Sequence, residues 1–306
     1  MSKSTASRKE IAGTAMAKEK TDAIEELRGI MDKESLMKGD FEIGIDEAGR
    51  GPVFGPMVYG GCAWPMSCRS TFSKVGFKDS KQLTEEERDT LFALINEFDT
   101  NILHQKAVVS SPLDITYSQL AGTRESLNTF SHNCAITIIK HFLSLGLRIT
   151  HAFLDTVGDP DKYRRLLEDE FQGTKPKIDF TVTSKADDLF PVVSAASIVA
   201  KVTRDRAIKD TVLREKIEVS RDFGSGYPGD PITVKWLNDH FDQFFGYPSV
   251  VRFSWSTITN RLANAKIEYN FLLDCNMNRG TVLSSFDTKP KPKLAKRLNL
   301  KSDFQI

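Results

Sequence analysis

Cysteine is scarce in this chain. The four present, Cys62, Cys68, Cys134 and Cys275, are scattered among 306 residues. They are too few for a disulfide framework, and none pairs with a histidine at zinc-ligand spacing. A reducing compartment is the expectation. Histidine is equally sparse, with five residues (His104, His132, His141, His151 and His240) in unrelated settings. No G-x-S-x-G elbow accompanies them, so serine or cysteine nucleophile schemes find no support. An excess of one charge is also missing: 42 Lys and Arg against 41 Asp and Glu leave +1. Bulk charge therefore neither attracts nor repels nucleic acid, and any such attraction must come from local clusters. No apolar run reaches the ~18 residues that a membrane-spanning helix needs. The N-terminal residues lack the apolar core of a secretory signal, and there is no internal repeat.

An ordinary apolar fraction, 40%, is enough for a sizeable core. The length suits one large domain with appendages or two small ones. Residues 1–40 are rich in Lys, Glu, Ser and Ala, with one helix-like piece, "TDAIEELRGIMDK". They read as an N-terminal extension, largely flexible. "FEIGID" then alternates, with Phe41, Ile43 and Ile45 on one face and Glu42, Gly44 and Asp46 on the other, which is a strand pattern. "PMVYGGCAW" reads as a second strand, close enough to pair antiparallel with the first. "LTEEERDTLFALINEF" is a helix opened by a capping box, Thr84 with Glu87. "ILHQKAVVS", "RITHAFLD" and "KIDFTVTS" read as strands. Residues 117–145 and "DLFPVVSAASIVAKVTRDRAI" read as helices. Strand and helix alternate after residue 85, which predicts an α/β core with parallel strands. From about residue 285 the chain is basic and proline-spaced, "KPKPKLAKRLNLK".

The stretch "GIDEAGRGPVFGP" (residues 44–56) allows several chemistries. As a dinucleotide loop it is one residue off the fingerprint spacing. Pro52 and Pro56 would interrupt the helix that should receive the phosphate, and Asp46 and Glu47 would repel it. The Walker spacing is absent. A metal site fits better. Two adjacent acids end one strand, Asp155 ends another, and Asp187-Asp188 sit where a strand hands over to a helix. Strand ends at one edge of an open α/β sheet converge. Hard carboxylate oxygens suit magnesium or manganese, and two such ions serve phosphodiester hydrolysis. Taken singly, each acid is as well explained as a turn residue or helix cap. Recurrence at three strand ends favours the shared cation.

The segments "GIDEAGRGPVFGPMVYG", "DSKQLTEEER", "LDTVGDP", "KADDLFPVVSAASIVAKVTRD", "GSGYPGDPITVKWL" and "VRFSWST" occur in the order seen in the type 2 ribonuclease H family. Over about residues 41–262 the chain resembles that family, most like the catalytic subunit of its eukaryotic branch. The resemblance implies a ribonuclease H-like α/β fold, with a mixed central sheet flanked by helices and a C-terminal helical extension. It divides the chain into a core at 41–214, the extension at 215–275 and a basic tail at 276–306.

The activity implied is endonucleolytic hydrolysis of RNA in RNA–DNA hybrids and at ribonucleotides embedded in duplex DNA, leaving 3′-hydroxyl and 5′-phosphate ends. That activity belongs to DNA replication and ribonucleotide removal. Asp46, Glu47, Asp155 and Asp187 match the family's catalytic metal-binding acids, for two Mg2+ or Mn2+ ions. Gly49, Arg50 and Gly51 match its glycine-arginine-glycine step, which contacts ribose 2′-hydroxyls. Tyr227 matches the tyrosine that stacks on the next sugar. Lys81 and Arg204 are further site-lining, substrate-binding candidates. Asp188 falls outside the pattern and reads as a helix cap. Glycines that let backbone reach the sugar edge are what a 2′-hydroxyl reader needs. The rivals are a DNA-only nuclease and a non-catalytic binding subunit; the sugar-reading step weighs against the first and the intact acids against the second. In the eukaryotic branch the family works as a heterotrimer with two non-catalytic subunits, in the nucleus; otherwise the expected place is the cytoplasm. The basic tail is then a nuclear signal, a nucleic-acid contact or a solvated tail.

Overall fold

The computed structural model describes residues 17–265, apart from 31, 100–101, 121–123, 212, 214 and 216. The basic tail at 276–306, the last part of the 215–275 extension and residues 1–16 lie outside the described residues. Among the described residues, five strands form one sheet: β1 Asp40–Ala48, β2 Met57–Pro65, β3 His104–Ser110, β4 Arg148–Asp155 and β5 Asp179–Thr183. Their order is β3-β2-β1-β4-β5. β1 pairs antiparallel with β2 and β2 with β3, while β1–β4 and β4–β5 are parallel. The sheet is therefore mixed and helices flank it, as expected.

In chain order the helices are α1 (17–28), α2 Lys33–Met37, α3 Arg69–Phe72, α4 Glu85–Phe98, α5 Pro112–Leu120 and α6 Leu127–Ser144. They continue as α7 Pro160–Glu170, α8 Ala186–Leu189, α9 Pro191–Lys209, α10 Pro231–Asp239 and α11 Ser256–Asn264. Phe41, Ile43 and Ile45 of β1 share a core with α6 and α7. The opposite sheet face meets α9 and α4 in a second core. α9 lies unusually close to the sheet because β1 and β2 carry no side chain where it crosses. A Cβ at Gly44 would stand 2.3 Å from the Val192 carbonyl carbon, and one at Gly60 2.3 Å from the Ala196 carbonyl oxygen. The small residues of α9 are the matching half of that contact.

The differences from the sequence reading have local causes. β3 is antiparallel to its neighbour, because apolar periodicity marks a strand without giving its direction. The helical stretch 117–145 is two helices, the second restarted by Ser126, whose hydroxyl accepts from the Thr129 N–H. "DLFPVVSAAS" is broken by Pro191, which opens α9. β1 alternates in sequence yet is buried on both faces. Glu42 sits inside because Trp64 Nε1 and the Arg69 guanidinium donate to its two oxygens. α1 is not a loose arm: Ala23 and Leu27 are buried in the α4 core, and Arg28 pairs with Glu97.

A third apolar cluster joins α10 and α11 to the loop after β1. Val53 and Phe54 pack with Trp236, Leu237, Val251 and Ile258. Backbone bonds reinforce the seam, from Val53 N to Gly226 O at 2.8 Å, Gly55 N to Val250 O at 2.9 Å and Arg252 N to Val53 O at 2.9 Å. The C-terminal helices thus brace the 49–56 loop.

Candidate active site

Parallel pairing of β1 with β4 runs to Ile45–Leu154. The next residue on each strand is an acid, so Asp46 and Asp155 stand side by side where the β1–β4 ladder ends. β5 pairs Thr183 with Asp155 and leads within four residues to Asp187. That turn passes through Lys185 in the left-handed region, at φ 57°, and puts Asp187 in the first turn of α8. The Ala186 N–H donates to Asp155 Oδ1 at 3.2 Å, which ties α8 to β4. Three strand ends therefore bring Asp46, Asp155 and Asp187 to one edge, with Glu47 adjacent. Asp188 is not the cap of α8; Lys185 holds that position, and Asp188 accepts from Gln82 Nε2 at 3.0 Å.

The crowding shows in the acid strengths. Burial first, then the charges of Glu47 and Asp155, pushes Asp46 well above the usual carboxylate range. Burial raises Glu47 to about 7, against the pull of Arg50 and with Asp155 adding to the rise. Asp187 rises to about 6 through burial and then Asp79, with Lys81 opposing. Lys81 Nζ lies 3.9 Å from Asp187 Oδ2 and 4.0 Å from Asp79 Oδ1. Burial lowers its pKa, but Asp79, Asp187, Asp46 and Asp155 together outweigh that and raise it. Lys81 thus borders the acid cluster. Asp79 places it by accepting from the Lys81 N–H at 2.9 Å, and Ser197 of α9 holds the same turn through Ser80 at 2.7 Å.

The donor set fits a hard divalent cation in kind. It is all oxygen, and burial and neighbouring acids push Asp46, Glu47 and Asp187 toward their neutral forms, a cost that a bound cation would offset. Among the described residues, no three acids, histidines or cysteines gather tightly enough to ligate one ion. A pair of magnesium ions does not need that many. Each takes one or two carboxylates and completes its shell with water and substrate phosphate.

The glycine-arginine-glycine step is held from behind. Arg252 has no exposed surface. Its Nε donates to Gly55 O at 2.9 Å, Nη1 to Arg50 O at 3.0 Å and Nη2 to Gly49 O at 2.5 Å. Trp255, on whose ring Arg252 lies at 4.8 Å, donates from Nε1 to Gly51 O at 2.9 Å. All three carbonyls of the step are thus engaged by the C-terminal segment. Burial, then Arg204, lowers Arg252 to about 9. The Arg50 side chain is anchored on α6 by Asn128 and Ser131.

Gly49 adopts φ +80°, and a Cβ there would stand 1.9 Å from Arg204 Nε, so only glycine suits the position. Arg204 stands directly behind Gly49 of the step. Its guanidinium donates to Pro56 O at 3.2 Å and Phe54 O at 3.4 Å, so it supports the loop. Tyr227 stands against the step: a Cβ on Gly51 would be 2.7 Å from its Cε1, and the residue is 54% exposed. Arg252 and Trp255 were missed as site residues. The available signal was an arginine set between Val251 and Phe253, a charge inside an apolar run.

Residues 43–258 match the family model described as Ribonuclease HII. The chain is 48% identical over 244 residues to a Ribonuclease H2 subunit of Arabidopsis thaliana, covering 79% of this chain and 80% of that one. It is 45% identical over 216 residues to the corresponding Ribonuclease H2 subunit of Homo sapiens, covering 70% of each. Among solved structures it resembles ribonuclease H2 from Pyrococcus horikoshii, with a TM-score of 0.61 and 31% identity over 74% of this chain and 100% of that one. The chain belongs to the ribonuclease HII family and is an enzyme with ribonuclease H activity.

Proposed function

We propose that this chain cuts RNA in RNA–DNA hybrids and at single ribonucleotides embedded in duplex DNA, leaving 3′-hydroxyl and 5′-phosphate ends. The observation that carries the reading is the junction of two devices on one loop. Asp46 and Glu47 face Asp155 and Asp187, and three residues later the backbone is clamped through every carbonyl of Gly49, Arg50 and Gly51. With those carbonyls engaged, the loop has one conformation to offer a sugar, and a pre-set backbone is what 2′-hydroxyl recognition needs.

Asp46, Glu47, Asp155 and Asp187 would hold two Mg2+ or Mn2+ ions, which when bound supply charge neutralisation and an activated water. Lys81, beside Asp187, adds positive charge where a phosphate would approach. Tyr227 presents an exposed ring next to Gly51 and would stack on the neighbouring deoxyribose, favouring an RNA-to-DNA junction.

The relatives are named as subunits of ribonuclease H2, which supports a larger assembly. The chain is read as the catalytic member of a heterotrimer with two non-catalytic subunits. Its C-terminal region would be the docking surface, and it would act in the nucleus during replication and ribonucleotide removal. The basic "KPKPKLAKR" run fits a nuclear address.

The test is cleavage of a duplex with one embedded ribonucleotide, by the chain alone and with partner subunits, in Mg2+ and in chelator. Cutting 5′ to the ribonucleotide, dependent on Mg2+ and absent on an all-DNA duplex, is expected. Cutting of the all-DNA duplex, or cutting in chelator, would overturn the reading.

A further inference from the structure

Tyr59 stands directly opposite Glu47 across the antiparallel β1–β2 pair. Residues opposed in this way project from the same face of the sheet. Asp46, one residue earlier, projects to the other face, toward α9. The Tyr59 ring is in the core shared with α6 and α7, 2% exposed. Its hydroxyl is buried and has no hydrogen-bond partner among the described residues. A buried hydroxyl left unmatched is costly, so this one calls for an acceptor close by.

The groups facing it are Glu47 from β1, Tyr163 from α7, Ser131 from α6 and Arg50 from the loop. Ser131 and Arg50 are bonded to each other, and Arg50 also to Asn128. Of the acceptors near this hydroxyl, Ser131 already takes a bond from Arg50, and Glu47, directly opposite on β1, is the charged one. Its carboxylate lies near enough for the Tyr59 hydroxyl to favour its charged form, but the two are not aligned as a hydrogen bond. Glu47 is partly exposed while every residue of β2 is buried, so the carboxylate is the partner with room to turn.

We propose that Tyr59 is a positioning residue for Glu47: its hydroxyl donates to one carboxylate oxygen and so turns the other toward the cation site. This rests on the reading of Glu47 as a metal ligand. The logic is that of outer groups that orient the ligands of a metal. It also gives a reason for tyrosine rather than phenylalanine at a core position where the ring alone would fill the space.

The test is Mn2+ binding by titration calorimetry to the full chain without nucleic acid, comparing wild type, Tyr59→Phe and Asp46→Asn, with melting temperatures of the metal-free proteins. Tyr59→Phe should weaken Mn2+ binding by about tenfold or more. It should melt at the wild-type temperature or above, since it removes an unmatched buried hydroxyl. In cleavage, the half-saturating Mg2+ concentration should rise by a similar factor while KM for the hybrid holds. An unchanged Mn2+ isotherm in Tyr59→Phe, with binding lost in Asp46→Asn, would overturn the role of Tyr59 alone. A weaker isotherm accompanied by a lower melting temperature would mark a packing role and overturn it too. Wild-type Mn2+ binding by Asp46→Asn would overturn the metal-site reading beneath it.

Discussion

Arg252, wholly buried, donates from Nη1 to the Arg50 carbonyl at 3.0 Å across 202 residues of chain. The same guanidinium reaches Gly49 and Gly55, so one side chain sets the shape of the loop that follows Asp46 and Glu47. Arg252→Gln removes most of these charge-assisted bonds. It should cost about 3 kcal/mol in urea unfolding and slow cleavage by at least about tenfold. Arg252→Lys should resemble Arg252→Gln rather than wild type, because an ammonium cannot span three carbonyls in one plane. Wild-type rates in Arg252→Lys would show that the planar fork is not what holds the loop.

Two glycines of the step should respond differently to alanine. Gly49→Ala must bear φ +80° and displace Arg204, whose Nε would be 1.9 Å away. A loss of about 2 kcal/mol in stability together with loss of cleavage is expected. Gly51→Ala has the exposed ring of Tyr227 as its nearest neighbour, at 2.7 Å, and that ring can swing outward. Its melting temperature should stay near wild type while cleavage falls. Thermal melts beside single-turnover rates check both.

Tyr227 is more than half exposed, so Tyr227→Ala should change stability by no more than about 0.5 kcal/mol. Cleavage at a single embedded ribonucleotide should fall by about a hundredfold. A continuous RNA–DNA hybrid, which presents a ribose to the ring, should suffer less. Equal loss on both substrates would argue against a junction-reading role.

Glu47 carries a pH signature. Its carboxyl titrates near 7 in the folded metal-free chain against an ordinary 4.5. Between those values the folded chain holds a proton that the unfolded chain has released. Stability from this group therefore falls as pH rises from about 4.5 to about 7 and stays low above. Glu47→Gln, always neutral, lacks this loss. In chelator, the melting temperature of wild type minus that of Glu47→Gln should become more negative from pH 5 to pH 8. Mg2+ should reverse the trend by favouring the charged form. A difference independent of pH would refute the assignment.

Much of this site was legible because strand ends leave marks in sequence. Asp46 closes an alternating run and Asp155 an apolar strand, and the parallel pairing of β1 and β4 sets them side by side. Asp187 was harder. From spacing alone Asp187-Asp188 read equally well as a cap; the resemblance singled out Asp187, and in the structure Asp187 is buried while Asp188 is exposed. The close approach of α9 was foreshadowed by its small residues, but the need for Gly44 and Gly60 opposite appears only in three dimensions. Arg204 and Arg252 resisted reading because their partners are backbone carbonyls, which carry no residue signature. The direction of β3 resisted because a two-residue period is the same both ways.

The account stands on Asp46 as a metal ligand at the meeting point of β1, β4 and α8. Its most direct test is Asp46→Asn in Mg2+ on a duplex with one embedded ribonucleotide, reading binding and single-turnover cleavage separately. The expected result is binding near wild type with cleavage reduced by about a thousandfold or more. Cleavage at the wild-type rate would contradict the account.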